Sequence, residues 1–137
     1  MTLGLLETCL YAADLDAAER FYVRVLGLET ALREEGRHVF LRAEGSMLLV
    51  FDPAGSETPP PEGAIPVPPH GARGPGHACF AAGAEGIEGW RRRLQAAGVG
   101  IEREVTWPHG PVSLYFRDPA GNSLEIAERA LWGFDTP

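Results

Sequence analysis

No apolar run in this sequence approaches the roughly 20 residues that a membrane-spanning helix requires, so a membrane protein is not expected. The first residues also lack a basic stretch followed by a long apolar segment, so no secretory signal is expected. Cysteine is scarce: Cys9 and Cys79 are the only two. That is too few for a disulfide scaffold, and it suits reduced thiols in a cytoplasmic protein. Positive charge is outweighed, with 12 basic against 19 acidic side chains and a net charge of −7. An acidic balance argues against nucleic acid and anionic membrane surfaces as partners, and leaves small molecules. What remains is ordinary for a globular chain: 137 residues, 45% hydrophobic and 23% charged, enough for one domain with a sizeable core.

An internal repeat is present. At a shift of 76 positions, Gly45-Ser46-Met47-Leu48-Leu49 overlies Gly121-Asn122-Ser123-Leu124-Glu125, and Val39-Phe40 overlies Tyr115-Phe116. At a shift of 70, Glu7-Thr8-Cys9-Leu10 overlies His77-Ala78-Cys79-Phe80. Each copy reads as a strand, a helix and further strands. In the first copy a strand is expected over 5–12, and a helix opens at Asp14-Leu15-Asp16, where Asp16-Ala17-Ala18-Glu19 has the form of a capping box. Phe21, Tyr22, Val25 and Leu26 recur at helical spacing before Gly27 stops the helix. Further strands are expected from residue 31, over 38–41 and over 47–51. The second copy predicts a strand from His77, a helix over 86–97 and a strand over 101–106. The module boundaries are then about 1–53 and 76–130, within a single domain of residues 1–137. The intervening 54–75 form a linker rich in proline and glycine, long enough to be either mobile or functional.

The stretch 113–125, SLYFRDPAGNSLE, predicts two strands joined by the turn Asp118-Pro119-Ala120-Gly121. Alternation puts Tyr115 and Arg117 on one face of the first strand. In the second strand Leu124 and Ile126 seek cover, which predicts Glu125 on the opposite, wetter face. Glu7 and His77 fall at matched first-strand positions, and Glu125 at a last-strand position. Alternation places all three on the concave face with Cys9, Cys79 and Tyr115. His38 follows a charged turn and His70 lies in the linker, so both are expected at the surface, and Arg91-Arg92-Arg93 is expected to be a solvated helix face.

These residues resemble the vicinal oxygen chelate superfamily, which includes glyoxalases, extradiol dioxygenases and bleomycin-resistance proteins. The resemblance rests on Glu7 with Asp14-Leu15, Phe21-Tyr22 through Leu26-Gly27-Leu28, His77, and Tyr115-Phe116-Arg117-Asp118-Pro119-Ala120-Gly121-Asn122-Ser123-Leu124-Glu125. It implies an α+β fold of two βαβββ modules forming a cupped, barrel-like mixed sheet with helices outside. It also implies a divalent metal held from the first and last strands of each module, here Glu7, Leu49, His77 and Glu125. Leu49 cannot coordinate, so three ligands remain: Glu7, His77 and Glu125. One histidine and two carboxylates favour Mn or Fe over Zn.

The implied activity is that of a lyase, isomerase or extradiol-type dioxygenase, with the metal a Lewis acid toward a small substrate bearing vicinal oxygens. Glu125, or alternatively Glu7, would act as base, and Tyr115 and His109 as hydrogen-bonding or acid/base groups, although His109 fits equally well as a residue of the turn Trp107-Pro108-His109-Gly110. Arg117, Cys9, Cys79 and Trp107 would line the substrate site. Short members pair their modules between chains, so a homodimer is implied. The alternative is a metal-free binding protein of the bleomycin-resistance type, sequestering a drug-like or cationic ligand with Trp107 and Trp132 available for stacking.

Overall fold

A computed structural model describes residues 2–134. The chain divides into two compact units, Met1–Gly74 and Pro75–Pro137. In the first, β1 (Glu7–Tyr11) leads to α1 (Leu15–Arg24), then β2 (Glu29–Glu34), β3 (His38–Ala43) and β4 (Ser46–Phe51), followed by the one-turn helix α2 (Pro53–Ser56). In the second, β5 (His77–Ala81) leads to α3 (Gly86–Ala96), then β6 (Arg103–Thr106), β7 (Val112–Arg117) and β8 (Ser123–Ala127). The sheet orders are β1-β4-β3-β2 and β5-β8-β7-β6, each with its first and last strands parallel and the other pairs antiparallel. Two βαβββ modules are therefore present in an α+β fold. The strands sort into two four-stranded sheets, so no closed barrel forms among the described residues.

The centre of one face of each sheet is apolar. In the first unit Leu10, Val39, Leu41, Leu48 and Val50 are buried, as are Leu15, Ala18, Tyr22 and Leu26 on or just beyond α1. In the second, Leu114, Phe116, Leu124 and Ile126 are buried with Ile87 and Leu94 of α3. The parallel crossover explains this arrangement, because the helix joining two parallel strands must lie across one face of their sheet. The opposite faces remain for chemistry.

The helix stops fall where the two glycines stand. Gly27 has φ +74 and Leu28 N–H donates to the Tyr22 carbonyl; Gly98 has φ +71 and Val99 N–H donates to the Leu94 carbonyl. The capping box is corrected. Asp14, not Asp16, caps α1, its Oδ1 accepting from Ala17 N–H at 3.0 Å. Asp16 already lies inside the helix, and its carboxylate joins those of Glu19 and Glu35 around the Arg33 guanidinium. The sixth strand begins at Arg103 rather than 101. One equivalence also shifts. Phe40 stands opposite Leu49 as Tyr115 stands opposite Glu125, so Phe40 matches Tyr115 rather than Phe116. The cause is the β7–β8 hairpin, which is one residue longer than the β3–β4 hairpin.

The proline-rich stretch groups with the first unit. Its start is fixed by α2, capped by Asp52, and by Gly55, where a Cβ would come within 2.7 Å of the Gly36 carbonyl oxygen. Further along, His70 N–H donates to the Ser56 carbonyl, and Arg73 pairs with Glu57. Beyond β8, residues Arg129–Trp132 form a short 3-10 turn whose Trp132 is exposed, as is Phe134. Among the described residues, no helix is long and apolar enough to cross a membrane.

The buried face sets a stability prediction. Leu41→Ala should cost about 2–5 kcal/mol by leaving a cavity beneath α1. Leu32→Ala, at a 55% exposed position on β2, should cost under about 1 kcal/mol. Urea denaturation of both variants checks this, and equal losses would refute the assignment of faces.

Candidate functional site

In the second unit the open face of β5, β8 and β7 carries His77, Cys79, Glu125 and Tyr115. The ladders place Cys79 and Tyr115 on either side of Glu125, and His77 and Arg117 on either side of Ser123. His77 Nδ1 lies 2.8 Å from the Ser123 carbonyl oxygen, and Nε2 lies 3.3 Å from Glu125 Oε2. A carbonyl only accepts, so Nδ1 donates to it, and this bond turns Nε2 toward the carboxylate. The Tyr115 ring stacks beside the imidazole, with centroids 6.4 Å apart and planes 22° apart.

Glu125 corrects the expected wet surface. It is only 5% exposed, and its buried Oε1 has no hydrogen-bond partner. Alternation gave the correct face, but that face is roofed around Glu125 by His77 and the neighbouring Cys79 and Tyr115 side chains. The consequences are electrostatic. Desolvation, and then the Glu125 charge, push the Cys79 thiol up to about 12, although the residue keeps an exposed edge. Burial, and then the same carboxylate, raise the Tyr115 hydroxyl. Both groups therefore remain protonated at neutral pH, as hydrogen-bond donors rather than nucleophiles.

The Asp118–Asn122 turn sets this geometry. Asp118 is buried; Oδ1 accepts from Ala120 and Asn122 N–H, and Oδ2 from Asn122 Nδ2. Asn122 Oδ1 then accepts from Gly76 N–H at 2.8 Å, while Ser123 N–H donates to the Gly76 carbonyl at 2.9 Å. The residue preceding His77 is thereby tied to the residues preceding Glu125. The turn chemistry was legible in the sequence, but the reach of Asn122 to Gly76 was not.

Other expected site residues have hydrogen-bond partners of their own. Arg117 donates to Glu102 and to the Gly121 carbonyl. His109 Nε2 lies 3.3 Å from the Leu131 carbonyl oxygen, and Trp107 Nε1 donates to Ser113 Oγ.

In the first unit the corresponding face is different. Glu7 occupies the place of His77, Cys9 that of Cys79, Leu49 that of Glu125 and Phe40 that of Tyr115. These residues line an open cavity of about 880 Å³, walled on one side by prolines of the stretch after α2. Two histidines expected at the surface belong to it. His38 is half-buried, stacked on Phe40 at 4.0 Å; burial lowers its pKa, so it is neutral at physiological pH. His70 is exposed, but its Nδ1 lies 2.7 Å from the Tyr11 hydroxyl and its ring meets Phe51 edge-on at 4.5 Å. Among the described residues no three His, Cys, Asp or Glu side chains gather as a metal-holding group, so neither unit alone supplies a third ligand to His77 and Glu125.

Cys79 offers a check on the electrostatics. In a Cys9→Ala background, iodoacetamide should label Cys79 slowly at pH 8, and the rate should climb about tenfold per pH unit as the thiolate fraction grows. Glu125→Gln should accelerate labelling at fixed pH. Fast labelling at pH 7 that ignores Glu125→Gln would contradict the geometry.

The profile of the Glyoxalase/Bleomycin resistance protein/Dioxygenase superfamily matches residues 4–126. Among solved structures, a lactoylglutathione lyase from Agrobacterium tumefaciens is 46% identical, covers 96% of this chain and 97% of its own, and superposes with a TM-score of 0.90. An integron cassette protein from the mobile metagenome of the Halifax Harbour sewage outfall is 26% identical over 91% of this chain and 97% of its own, with a TM-score of 0.69. The oxidase ChaP-H2 is 26% identical over 94% and 95%, with a TM-score of 0.63. No curated protein sequence matches. With nearly its whole length matched, the chain belongs to the Glyoxalase/Bleomycin resistance protein/Dioxygenase superfamily.

Proposed function

We propose that the protein is a divalent-metal-dependent enzyme of the lyase, isomerase or extradiol-dioxygenase type, acting on a small substrate with vicinal oxygens. The observation that carries this reading is the meeting of an imidazole nitrogen and a buried carboxylate at one point of the second sheet. His77 Nε2 lies 3.3 Å from Glu125 Oε2, and the buried Oε1 of Glu125 has no hydrogen-bond partner. A cation there would satisfy both, which is the fit a metal requires. Glu7, at the equivalent position of the first unit, is the proposed third ligand, contributed within a homodimer that pairs modules between chains. One imidazole and two carboxylates suit Mn or Fe, with Zn the softer option.

When bound, the ion supplies a Lewis acid for two adjacent substrate oxygens. The chain's own residues supply the rest. Glu125, held in low dielectric, accepts a proton from the carbon or oxygen next to the bound group. The Tyr115 hydroxyl, kept protonated, donates a hydrogen bond to developing negative charge. Cys79, kept as a thiol, stays out of covalent chemistry. The 46%-identical lactoylglutathione lyase supports a glyoxalase-type reaction over dioxygenation.

A second reading, metal-free sequestration of a drug-like or cationic ligand, is favoured by the aromatic cavity of the first unit. Elemental analysis separates the two. Protein purified without chelator should hold about one Mn, Fe or Zn per chain, and His77→Ala should lose it while keeping its far-UV circular dichroism. Metal-free wild type that takes up none of the three ions on dialysis would reject the enzyme reading in favour of the binding protein.

A further inference from the structure

The two open sheet faces share one topology and differ in chemistry. Where the second unit has Glu125, Tyr115 and Ala127, the first has Leu49, Phe40 and Phe51. Those side chains line the 880 Å³ cavity, a volume within the roughly 300–1,000 Å³ of small-molecule sites. Their rings are set at steep angles, Phe40 to Phe51 at 68° and His70 to Phe51 at 89°, so faces and edges both look into the cavity. An incoming ring finds offset and edge-on partners in such an arrangement. Pro60, Pro61, Pro68 and Pro69 form the outer wall. Proline has little conformational entropy to lose when a ligand seats against it. The wall is not loose, because α2 packs backbone to backbone at Gly55 and His70 is bonded to Tyr11.

Charge narrows the ligand further. Arg37 lies 3.8 Å from Glu34, and half-buried His38 is neutral at physiological pH. Glu7 stands exposed at the end of the cavity where β1 begins and Glu34 is paired with Arg37, so an anion is disfavoured and the charged groups sit apart from the aromatic lining.

We propose that this cavity is a subsite for a planar, uncharged aromatic group of about two rings, walled by the proline-rich strap that the Tyr11–His70 hydrogen bond latches. Ring binding requires no metal, so it stands or falls apart from the reading above.

The test is a titration of the chelator-treated full chain with 2-naphthol, followed by amide NMR. Shifts should be confined to the first unit, centred on Tyr11, Phe40, Phe51 and His70, with saturable binding. Decahydro-2-naphthol, of like size but without ring faces, should bind more weakly, and so should 2-naphthoate. Phe51→Ala should weaken 2-naphthol about 3- to 10-fold, the scale of one aromatic pair. Phe40→Leu provides the same comparison with less risk to folding, and His70→Ala should weaken binding by releasing the strap. His77→Ala should leave 2-naphthol affinity unchanged. Absent binding, shifts centred on the second unit, equal affinity for the saturated analogue, or indifference to Phe40→Leu and Phe51→Ala would each overturn the assignment.

Discussion

The candidate chemistry depends on one constraint, the tie that Asn122 makes between Gly76 and the Asp118 turn. Parallel strands are not joined by a short turn, so nothing in chain connectivity fixes how β5 slides along β8. The buried Asp118 carboxylate orders the turn, the Asn122 amide crosses to the residue before His77, and the Ser123 carbonyl takes the hydrogen of the ring itself. Each bond is individually worth about 1 kcal/mol, more where an ionised carboxylate accepts. Their joint effect is geometric: they aim one imidazole nitrogen at one buried carboxylate oxygen.

Duplication then allowed the two modules to diverge without disturbing the fold. The face beneath each helix keeps its apolar set, Val39 and Leu41 in one unit and Leu114 and Phe116 in the other. Residues on the open face are free of that packing. One unit has specialised toward a carboxylate, an imidazole and a phenol, the other toward an aromatic cavity. Leu49 marks the change, since a leucine at the position of Glu125 replaces a carboxylate and adds a floor to the cavity in one step.

Much of this was legible in the sequence because it is local or periodic. The repeat predicted both modules, the glycines predicted both helix stops, and strand alternation placed Glu7, His77, Cys79 and Glu125 at their ladder positions. What escaped is non-local. Glu125 reads as solvated because alternation reports the face of a strand but not what neighbouring strands fold over it. His38 reads as a surface residue because its ring partner Phe40 becomes visible only when the sheet forms; His70 is exposed as expected, but its contacts with Tyr11 and Phe51 are non-local. The one-residue slip between Phe40 and Tyr115 has a similar origin, since a fixed shift cannot follow an inserted hairpin residue. Asp16 was mistaken for the cap of α1 because the sequence offers two aspartates and only the backbone decides which stands outside the helix.

The most direct test of the aimed imidazole is the long-range proton–nitrogen spectrum of the histidine rings in metal-stripped protein. It should be recorded near pH 9, above the ordinary histidine titration range of about 6.5, with the His77 signal assigned by its loss in His77→Gln. The hydrogen bond to Ser123 predicts a protonated Nδ1 and a bare Nε2 for His77. A ring protonated at Nε2, or one exchanging freely between the two forms, would contradict it.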